Sequence, residues 1–192
     1  FLAQGYKLSG NTSKMMQFMT RLTKEYPKSE YVTRANLALA EVYFEKNIMG
    51  AAETFYEEVV KDLKSPEYPY ALYKLGYTYY NLHKYQESIV SFKKVIEMGL
   101  SGKRKIAFQT QAYSALALSF TEEKNGWQEA RDYFRSIEPK SKVEGLMVEQ
   151  LERMARIFDK QDKSKEQLEV YEFLIAEDPV SLKIPEYADA MV

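Results

Sequence analysis

The sequence predicts an all-α fold made of repeated helix pairs, and three observations support this class. A small residue stands three positions before an aromatic residue five times along the chain, at intervals of 36 to 41 residues. Apolar residues follow helical spacing around each of these pairs, and polar segments separate the apolar runs. Self-similarity at this period is typical of solenoids built from stacked helical units.

The first helix of each unit carries the small residue and its aromatic neighbour. Between Leu72 and Leu82, apolar side chains recur at helical spacing around Gly76. A small residue allows the paired helices to approach closely, and the ring fills the space between repeats. The five pairs are Ala3 and Tyr6, Ala40 and Tyr43, Gly76 and Tyr79, Ala117 and Phe120, and Ala155 and Phe158.

The second helix of each unit repeats a large apolar residue followed three positions later by an aliphatic one. In the clearest copy, Ile89 and Ile96 join Phe92 and Val95 on one side of the helix. This pattern predicts a packing face turned toward the first helix. The five copies are Met19 and Leu22, Tyr56 and Val59, Phe92 and Val95, Phe134 and Ile137, and Tyr171 and Leu174.

Local signals predict where several helices begin and end. Ser141 and Ser164 each precede a glutamate or glutamine by three positions, which predicts capping boxes at two helix starts. Ser65 before Pro66 predicts an N-cap followed by a first-turn proline, and Gly99 predicts a helix end. Polar hairpins are expected at 46–50, 83–84, 124–126 and 159–163.

One set of residues resembles the signature of the tetratricopeptide repeat (TPR) family: Leu72, Leu75, Gly76, Tyr79 and Phe92, with Ser88 where alanine is usual. The resemblance implies a right-handed superhelix, an α-solenoid of antiparallel helix pairs whose first helices line a concave groove. It predicts a single solenoid over 1–192, with a partial repeat at 1–28, repeats at about 29–65, 66–101, 102–140 and 141–180, and the start of a further helix at 185–192. Since neither end has a polar capping helix, we expect a piece of a longer protein.

Two segments, 26–31 and 73–80, are also similar in sequence to bacterial cell-envelope proteins of this family. These are the Tol–Pal-associated type and the lipoprotein of the outer-membrane assembly machine. The resemblance implies a location in the periplasm or cell envelope, with the cytoplasm as the alternative.

The composition provides few of the side chains that commonly serve in catalysis. The 27 basic and 28 acidic side chains give a net charge of -1, which offers no electrostatic footprint for nucleic acid. The chain has no cysteine and one histidine, His83, which excludes thiolate metal sites and sites that need two imidazoles. No apolar run is long enough to span a bilayer, so we expect no direct membrane insertion.

Two polar segments have residue types found in ligand sites but lack the required pattern. Asp159, Asp162 and Glu166 lack the spacing of a calcium loop. The basic segment 101–105 lacks the preceding glycine and the strand of a phosphate-binding loop. The sequence therefore predicts no enzyme, no cofactor and no metal.

Tyrosine is the residue type in excess, with 16 copies. On a helix from residue 68 to residue 82, Tyr73, Tyr77 and Tyr80 lie one above another beside the packing face, with Tyr70 one turn before. Because that side of the first helix lines the groove in the TPR family, the resemblance implies a tyrosine stripe facing the groove. The candidate partner-binding residues are Tyr70, Tyr73, Tyr77, Tyr80, Phe44, Leu37, Arg34, Glu41, Asn81, Glu152 and Arg156.

These residues favour a non-enzymatic scaffold that binds a partner protein or an extended peptide segment, since tyrosine offers large contact area and a hydroxyl. Two alternatives stay open: the rings pack on the chain's own helices, or the chain is a spacer or self-assembling solenoid that associates through its repeat ends. A clamp for a C-terminal carboxylate is disfavoured, because Leu37, Glu41 and Tyr77 stand where basic or amide groups are needed.

Overall fold

The computed structural model describes residues 11–102 and 106–191, and every regular element in these ranges is a helix. The chain divides into two compact units, Phe1–Met98 and Gly99–Val192. The all-α class of paired helices is therefore confirmed. The helices are α1 (Thr12–Glu25), α2 (Val32–Glu45), α3 (Met49–Val60), α4 (Tyr68–Asn81), α5 (Tyr85–Leu100), α6 (Gln109–Phe120), α7 (Gly126–Ser141), α8 (Leu146–Lys160), α9 (Ser164–Glu177) and α10 (Ile184–Asp189). The predicted pair Ala3 and Tyr6, and the basic residues 103–105, lie outside the described residues.

Three hairpins reverse through one residue in the left-handed backbone conformation. Asn47, His83 and Asp162 have φ values of 58°, 58° and 55°. In each hairpin the N–H of the next residue donates to the carbonyl five positions back, at 2.9 Å. This is a Schellman arrangement, which satisfies carbonyls at the helix end. The turns fall within segments where the sequence predicts polar hairpins.

In the first unit, the small residues of the repeat lie where two helices approach each other. Ala40 has no exposed surface, and a Cβ added to Gly76 would lie 2.8 Å from the ring of Phe92. Phe92, Val95 and Tyr56 are fully buried. The close approach that the sequence predicts for Gly76 is therefore confirmed for α4 against α5.

In the second unit, the same repeat positions form the core. Ala117, Ala155 and Phe134 have no exposed surface. The turn from α6 to α7 is tighter still, because a Cβ on Gly126 would lie 1.7 Å from the carbonyl oxygen of Phe120. A backbone atom cannot move aside as a flexible side chain can, so this turn requires glycine.

The start of α8 differs from the prediction. Ser141 is the last residue of α7, so the capping box expected at that serine is wrong. Instead, the carboxylate of Glu138 accepts hydrogen bonds from the N–H groups of Gly145 at 2.9 Å and Met147 at 3.0 Å. A side chain from the preceding helix thus takes the role of the N-cap. The residues next to the start of α8 do not predict this cap.

The starts of α4 and α9 and the end of α5 also differ from the predictions, by one to three residues. The hydroxyl of Ser65 accepts from the N–H of Glu67 at 3.1 Å and so organises a turn, while α4 begins at residue 68 and has Pro69 in its first turn. Ser164 is the first residue of α9 and not its cap. Helix α5 continues one residue past Gly99. Fraying and turn formation at helix ends make such shifts common.

Candidate functional site

The predicted tyrosine stripe forms one surface of the first unit, which we call the tyrosine surface and define as Tyr70, Tyr73, Tyr77 and Tyr80 of α4. Its four members share an intermediate degree of burial. Helical spacing places them on one side of α4, next to the residues that pack against α3 and α5. Each ring therefore contributes to internal packing and keeps part of its area in contact with solvent.

Two of these rings rest on the core phenylalanine of α5. Tyr73 and Tyr77 contact Phe92 edge-on, with ring centroids 5.9 Å and 5.1 Å away. They also contact each other edge-on at 5.1 Å. Edge-to-face geometry at these distances is favourable beyond simple burial. Because Phe92 stands under Gly76, the absence of a side chain at position 76 lets the whole ring cluster form.

The hydroxyl groups of the tyrosine surface are partly satisfied within the unit. Tyr73 donates to the hydroxyl oxygen of Tyr77 at 3.3 Å, so the Tyr77 hydroxyl still has its own proton to donate. Tyr70 donates to Glu41 of α2 at 2.8 Å. Burial, followed by this bond and the charge of Glu41, raises the pKa of Tyr70 to about 12. Burial also raises the pKa of Tyr73. The hydroxyls of Tyr70 and Tyr73 are therefore neutral hydrogen-bonding groups near neutral pH.

The far end of the tyrosine surface meets the hairpin between α4 and α5. Tyr80 contacts Tyr85 edge-on at 5.6 Å, and Nδ1 of His83 lies 2.6 Å from the Tyr85 hydroxyl. The amide nitrogen of Asn81 is 4.0 Å from the sulfur of Met49, a weak contact that leaves the exposed amide accessible. His83 is exposed and contacts Tyr85, which agrees with its place in the hairpin predicted at 83–84.

The candidate residues on α2 lie next to the tyrosine surface within the same unit. Arg34 is exposed and pairs with Glu67 at 2.9 Å, while the half-buried Leu37 packs against the core. The hydrogen bond from Ser65, and then that from Arg34, lower the pKa of Glu67. Arg34 is thus already held by an ion pair, which leaves Glu41 as the α2 residue bonded directly to the tyrosine surface.

Phe44 of α2 is covered by a cation. The ammonium of Lys74 lies 3.8 Å from the centroid of the Phe44 ring, which itself contacts Tyr56 edge-on at 6.4 Å. Burial lowers the pKa of Lys74. A half-buried ammonium over a ring is a cation–π contact, worth about 1–2 kcal/mol when partly desolvated. One side of Phe44 is therefore occupied by the chain's own lysine.

The two candidate residues of the second unit have different surroundings. Arg156 is exposed on α8. Glu152 is 8% exposed and accepts from Lys183 at 2.7 Å and from the hydroxyl of Tyr187 at 2.5 Å. The carboxylate that the sequence predicts as a partner-binding group is therefore engaged by side chains of its own unit. Tyr187 of α10 stacks on Tyr171 of α9, with ring centroids 5.2 Å apart, and this position brings its hydroxyl to Glu152.

The sequence did not identify the residues that support the site. The repeat pattern predicts Phe92 as a core residue but not as the platform for two tyrosines, and it assigns no role to Tyr85, Glu67 and Lys74. The available signal was the position of Lys74 on α4, two residues before Gly76, where it can reach the preceding repeat. Such contacts join residues about 30 positions apart, which local patterns do not show.

Among residues 11–102 and 106–191, no group of three or more His, Asp or Glu side chains is placed to hold a metal ion. None of the helices described there combines the length and apolarity needed to cross a bilayer.

Comparison with known proteins supports the repeat assignment. Residues 2–29 and 69–98 each match a model of the tetratricopeptide repeat. The fold is also similar to the solved TPR-like repeats of a Podosopora anserina protein described as a kinesin light chain, with a TM-score of 0.58, 17% identity, and 91% of this chain and 90% of that chain covered. A variant form of that protein gives a TM-score of 0.59 at 16% identity with the same coverage of 91% and 90%. The fold is TPR-like. No curated protein matches the sequence.

Identities this low show the fold alone. TPR repeats generally mediate protein–protein interactions, and proteins built from them are generally scaffolds without enzymatic activity. The TPR-like fold therefore agrees with the poverty of catalytic side chains in this sequence.

Proposed function

We propose that this chain is a non-enzymatic scaffold that binds an extended segment of a partner protein on the tyrosine surface. The observation that carries the proposal is the arrangement of four half-buried rings on one side of α4, with the Tyr77 hydroxyl proton available to a ligand. Rings that are rigidly packed on one side offer contact area at a low cost in conformational entropy. Tyrosine hydroxyls also bond to the carbonyl groups of an extended chain.

The hydrogen bond between the hydroxyls of Tyr73 and Tyr77 determines which of the two can donate to a ligand. Tyr73 donates to Tyr77, so the outer hydroxyl of the pair is polarised toward donating to a partner carbonyl. Asn81, one residue beyond Tyr80, adds an exposed amide that can both donate and accept. Together these groups suit the main chain of an extended peptide more than a charged terminus.

The test uses peptides selected from a random library displayed on phage against the full chain. We expect Tyr77→Phe to lower the affinity for the selected peptides by about three- to ten-fold, because one hydrogen bond is lost while the ring stays on Phe92. Tyr73→Ala combined with Tyr77→Ala should abolish binding. Circular dichroism and thermal melting must accompany the double variant, since both rings also support α5.

Matched controls lie on the other side of the same helices. Tyr43 stacks on Phe55 at 5.5 Å, and Tyr79 donates to Glu57 at 2.9 Å, so neither belongs to the tyrosine surface. Tyr43→Phe and Tyr79→Phe should leave peptide affinity unchanged. Equal loss in these controls, or unchanged binding by the double variant, would refute the assignment. Sedimentation over a concentration series separates this scaffold from the rival spacer that self-associates through its ends.

We also propose a location in the bacterial cell envelope, with the cytoplasm as the alternative. The support is the sequence similarity of the segments 26–31 and 73–80 to envelope proteins with these repeats. Fractionation of the source cells, with detection of this chain by an antibody, tests the location.

A further inference from the structure

Two carboxylates beside the tyrosine surface are left without a cation. Glu41 and Glu45, which we call the acidic pair, lie four residues apart on α2. Among the described residues neither forms an ion pair; Glu41 accepts only the Tyr70 hydroxyl. Like charges at this spacing repel each other across one turn of helix. Glu45 is moreover the last residue of a helix whose final turn has no basic residue, an end that favours positive charge.

The nearest cations are directed elsewhere. The ammonium of Lys74 lies over the ring of Phe44 and not within ion-pair distance of either carboxylate. Lys46, which follows the helix, places its ammonium 3.9 Å from the sulfur of Met16. The charge of the acidic pair is therefore softened at a distance by Lys74 but not paired.

A second i, i+4 carboxylate pair in the same unit shows the contrast. Glu53 and Glu57 of α3 have the same spacing, but Glu53 forms an ion pair with Lys84 and Glu57 accepts the hydroxyl of Tyr79 at 2.9 Å. Each of these carboxylates has its own partner in the chain. The acidic pair is thus the one of these two that lacks a cation.

A buried hydroxyl next to the acidic pair is also unsatisfied. Tyr56 has no exposed surface, and its hydroxyl has no hydrogen-bond partner among the described residues. The Tyr56 ring contacts Phe44 of α2 edge-on at 6.4 Å, and burial, followed by the charges of Glu41, Tyr70 and Glu45, raises the pKa of Tyr56. A buried polar atom without a partner costs free energy, and its lone pairs favour a positive charge nearby.

We propose that the partner segment carries a lysine or arginine side chain that binds at Glu41 and Glu45, beside Phe44, while its backbone lies on the tyrosine surface. This inference rests on the proposed function and adds the chemistry of the ligand. The aliphatic stem of such a side chain packs on the rings and its charged end meets the two carboxylates. The recognised class is an extended basic peptide segment.

The test uses the phage-displayed random peptide library with the full chain as bait. Peptides that need Tyr73 and Tyr77 should contain lysine or arginine. We expect Glu41→Gln with Glu45→Gln to lower the affinity for these peptides by about ten-fold or more. Added salt should lower the affinity further. The glutamine at position 41 still accepts the Tyr70 hydroxyl, so the variant removes charge and keeps that bond.

The control is Glu53→Gln with Glu57→Gln, which removes the same charge from α3 and should leave affinity within about two-fold. Replacing the basic residue of the peptide by methionine should cost as much as the acidic-pair variant, and the two changes should not add. Tyrosine-dependent peptides that lack a basic residue, or that bind the acidic-pair variant equally well, overturn this inference and leave the proposed function standing. A library that yields no tyrosine-dependent peptide overturns both.

Discussion

At the scale of single residues, His83 stands at a backbone position that favours glycine. Its φ of 58° puts a β-carbon in the left-handed region, which costs about 1 kcal/mol for most side chains. We predict that His83→Gly raises the free energy of unfolding by about 0.5–1 kcal/mol, measured by urea denaturation with circular dichroism. The loss of the contact with Tyr85 sets the lower end of this range.

Gln86→Gly is the matched control for that substitution. Gln86 is exposed in the first turn of α5, where glycine should lower the free energy of unfolding by up to about 0.5 kcal/mol. If both glycines destabilise the chain equally, the left-handed conformation at His83 is not a source of strain.

The tyrosines show how far single residues can be predicted. Helical spacing alone placed Tyr70, Tyr73, Tyr77 and Tyr80 on one side of α4, and the structure has them there. The sequence left open whether the rings pack internally or face a ligand. Tyr73 and Tyr77 contact Phe92 edge-on and are half-buried, so each ring packs internally and keeps part of its surface accessible to solvent.

At the scale of helices, Gly76 controls the distance between α4 and α5. A Cβ there would lie 2.8 Å from the fully buried ring of Phe92. We predict that Gly76→Ala destabilises the fold by about 1–3 kcal/mol, because overpacking outweighs the better helix propensity of alanine. Urea denaturation measures this change.

Phe92→Leu provides the test of mechanism. On its own it should cost stability, but in combination with Gly76→Ala it should cost less than the sum of the two, since the smaller side chain makes room for the methyl group. Strict additivity would contradict the proposed collision.

The junction of α7 and α8 depends on Glu138. Its carboxylate satisfies two N–H groups at the start of α8, at 2.9 Å and 3.0 Å. We predict that Glu138→Ala lowers the free energy of unfolding by about 1–2 kcal/mol, as expected for a lost N-cap, while Ser141→Ala costs less than about 0.5 kcal/mol. The reverse order would restore the capping box predicted from the sequence.

Helices and their order were predictable because each has a repeated apolar pattern, whereas their ends were less so. The capping box at Ser141 failed because Glu138 of the preceding helix supplies the cap through the N–H groups of Gly145 and Met147. The burial of Glu152 was also missed, since it depends on Tyr187 and Lys183, more than 30 residues later. Contacts between repeats set these features, and they leave no local signature.

At the scale of the whole molecule, both units hold tyrosines whose pKa is raised by burial. Tyr56, Tyr70 and Tyr73 lie in the first unit, and Tyr113 and Tyr187 in the second. Each is neutral in the folded chain at a pH where its unfolded counterpart, with a pKa of 10.0, begins to ionise. The stability that Tyr70 contributes is complete below pH 10 and is lost as the pH rises toward about 12, and the other raised tyrosines act in the same direction.

We therefore predict that the urea midpoint of unfolding falls as the pH is raised from about 9 to about 12. Tyr70→Phe should reduce the pH dependence in this range, because one raised pKa is removed. Tyrosinate absorbance measured alongside unfolding should appear together with loss of helicity. Full tyrosine ionisation in a chain that keeps its helices would contradict this account.

The central claim is that a partner segment binds on the tyrosine surface of α4. The most direct measurement is a nuclear magnetic resonance titration of the chain, labelled in its tyrosine rings, with a library-selected peptide. We predict that the resonances of Tyr70, Tyr73, Tyr77 and Tyr80 shift on binding while those of Tyr43 and Tyr79 stay in place. Shifts at Tyr43 and Tyr79, with the four rings of the tyrosine surface unchanged, would contradict the claim.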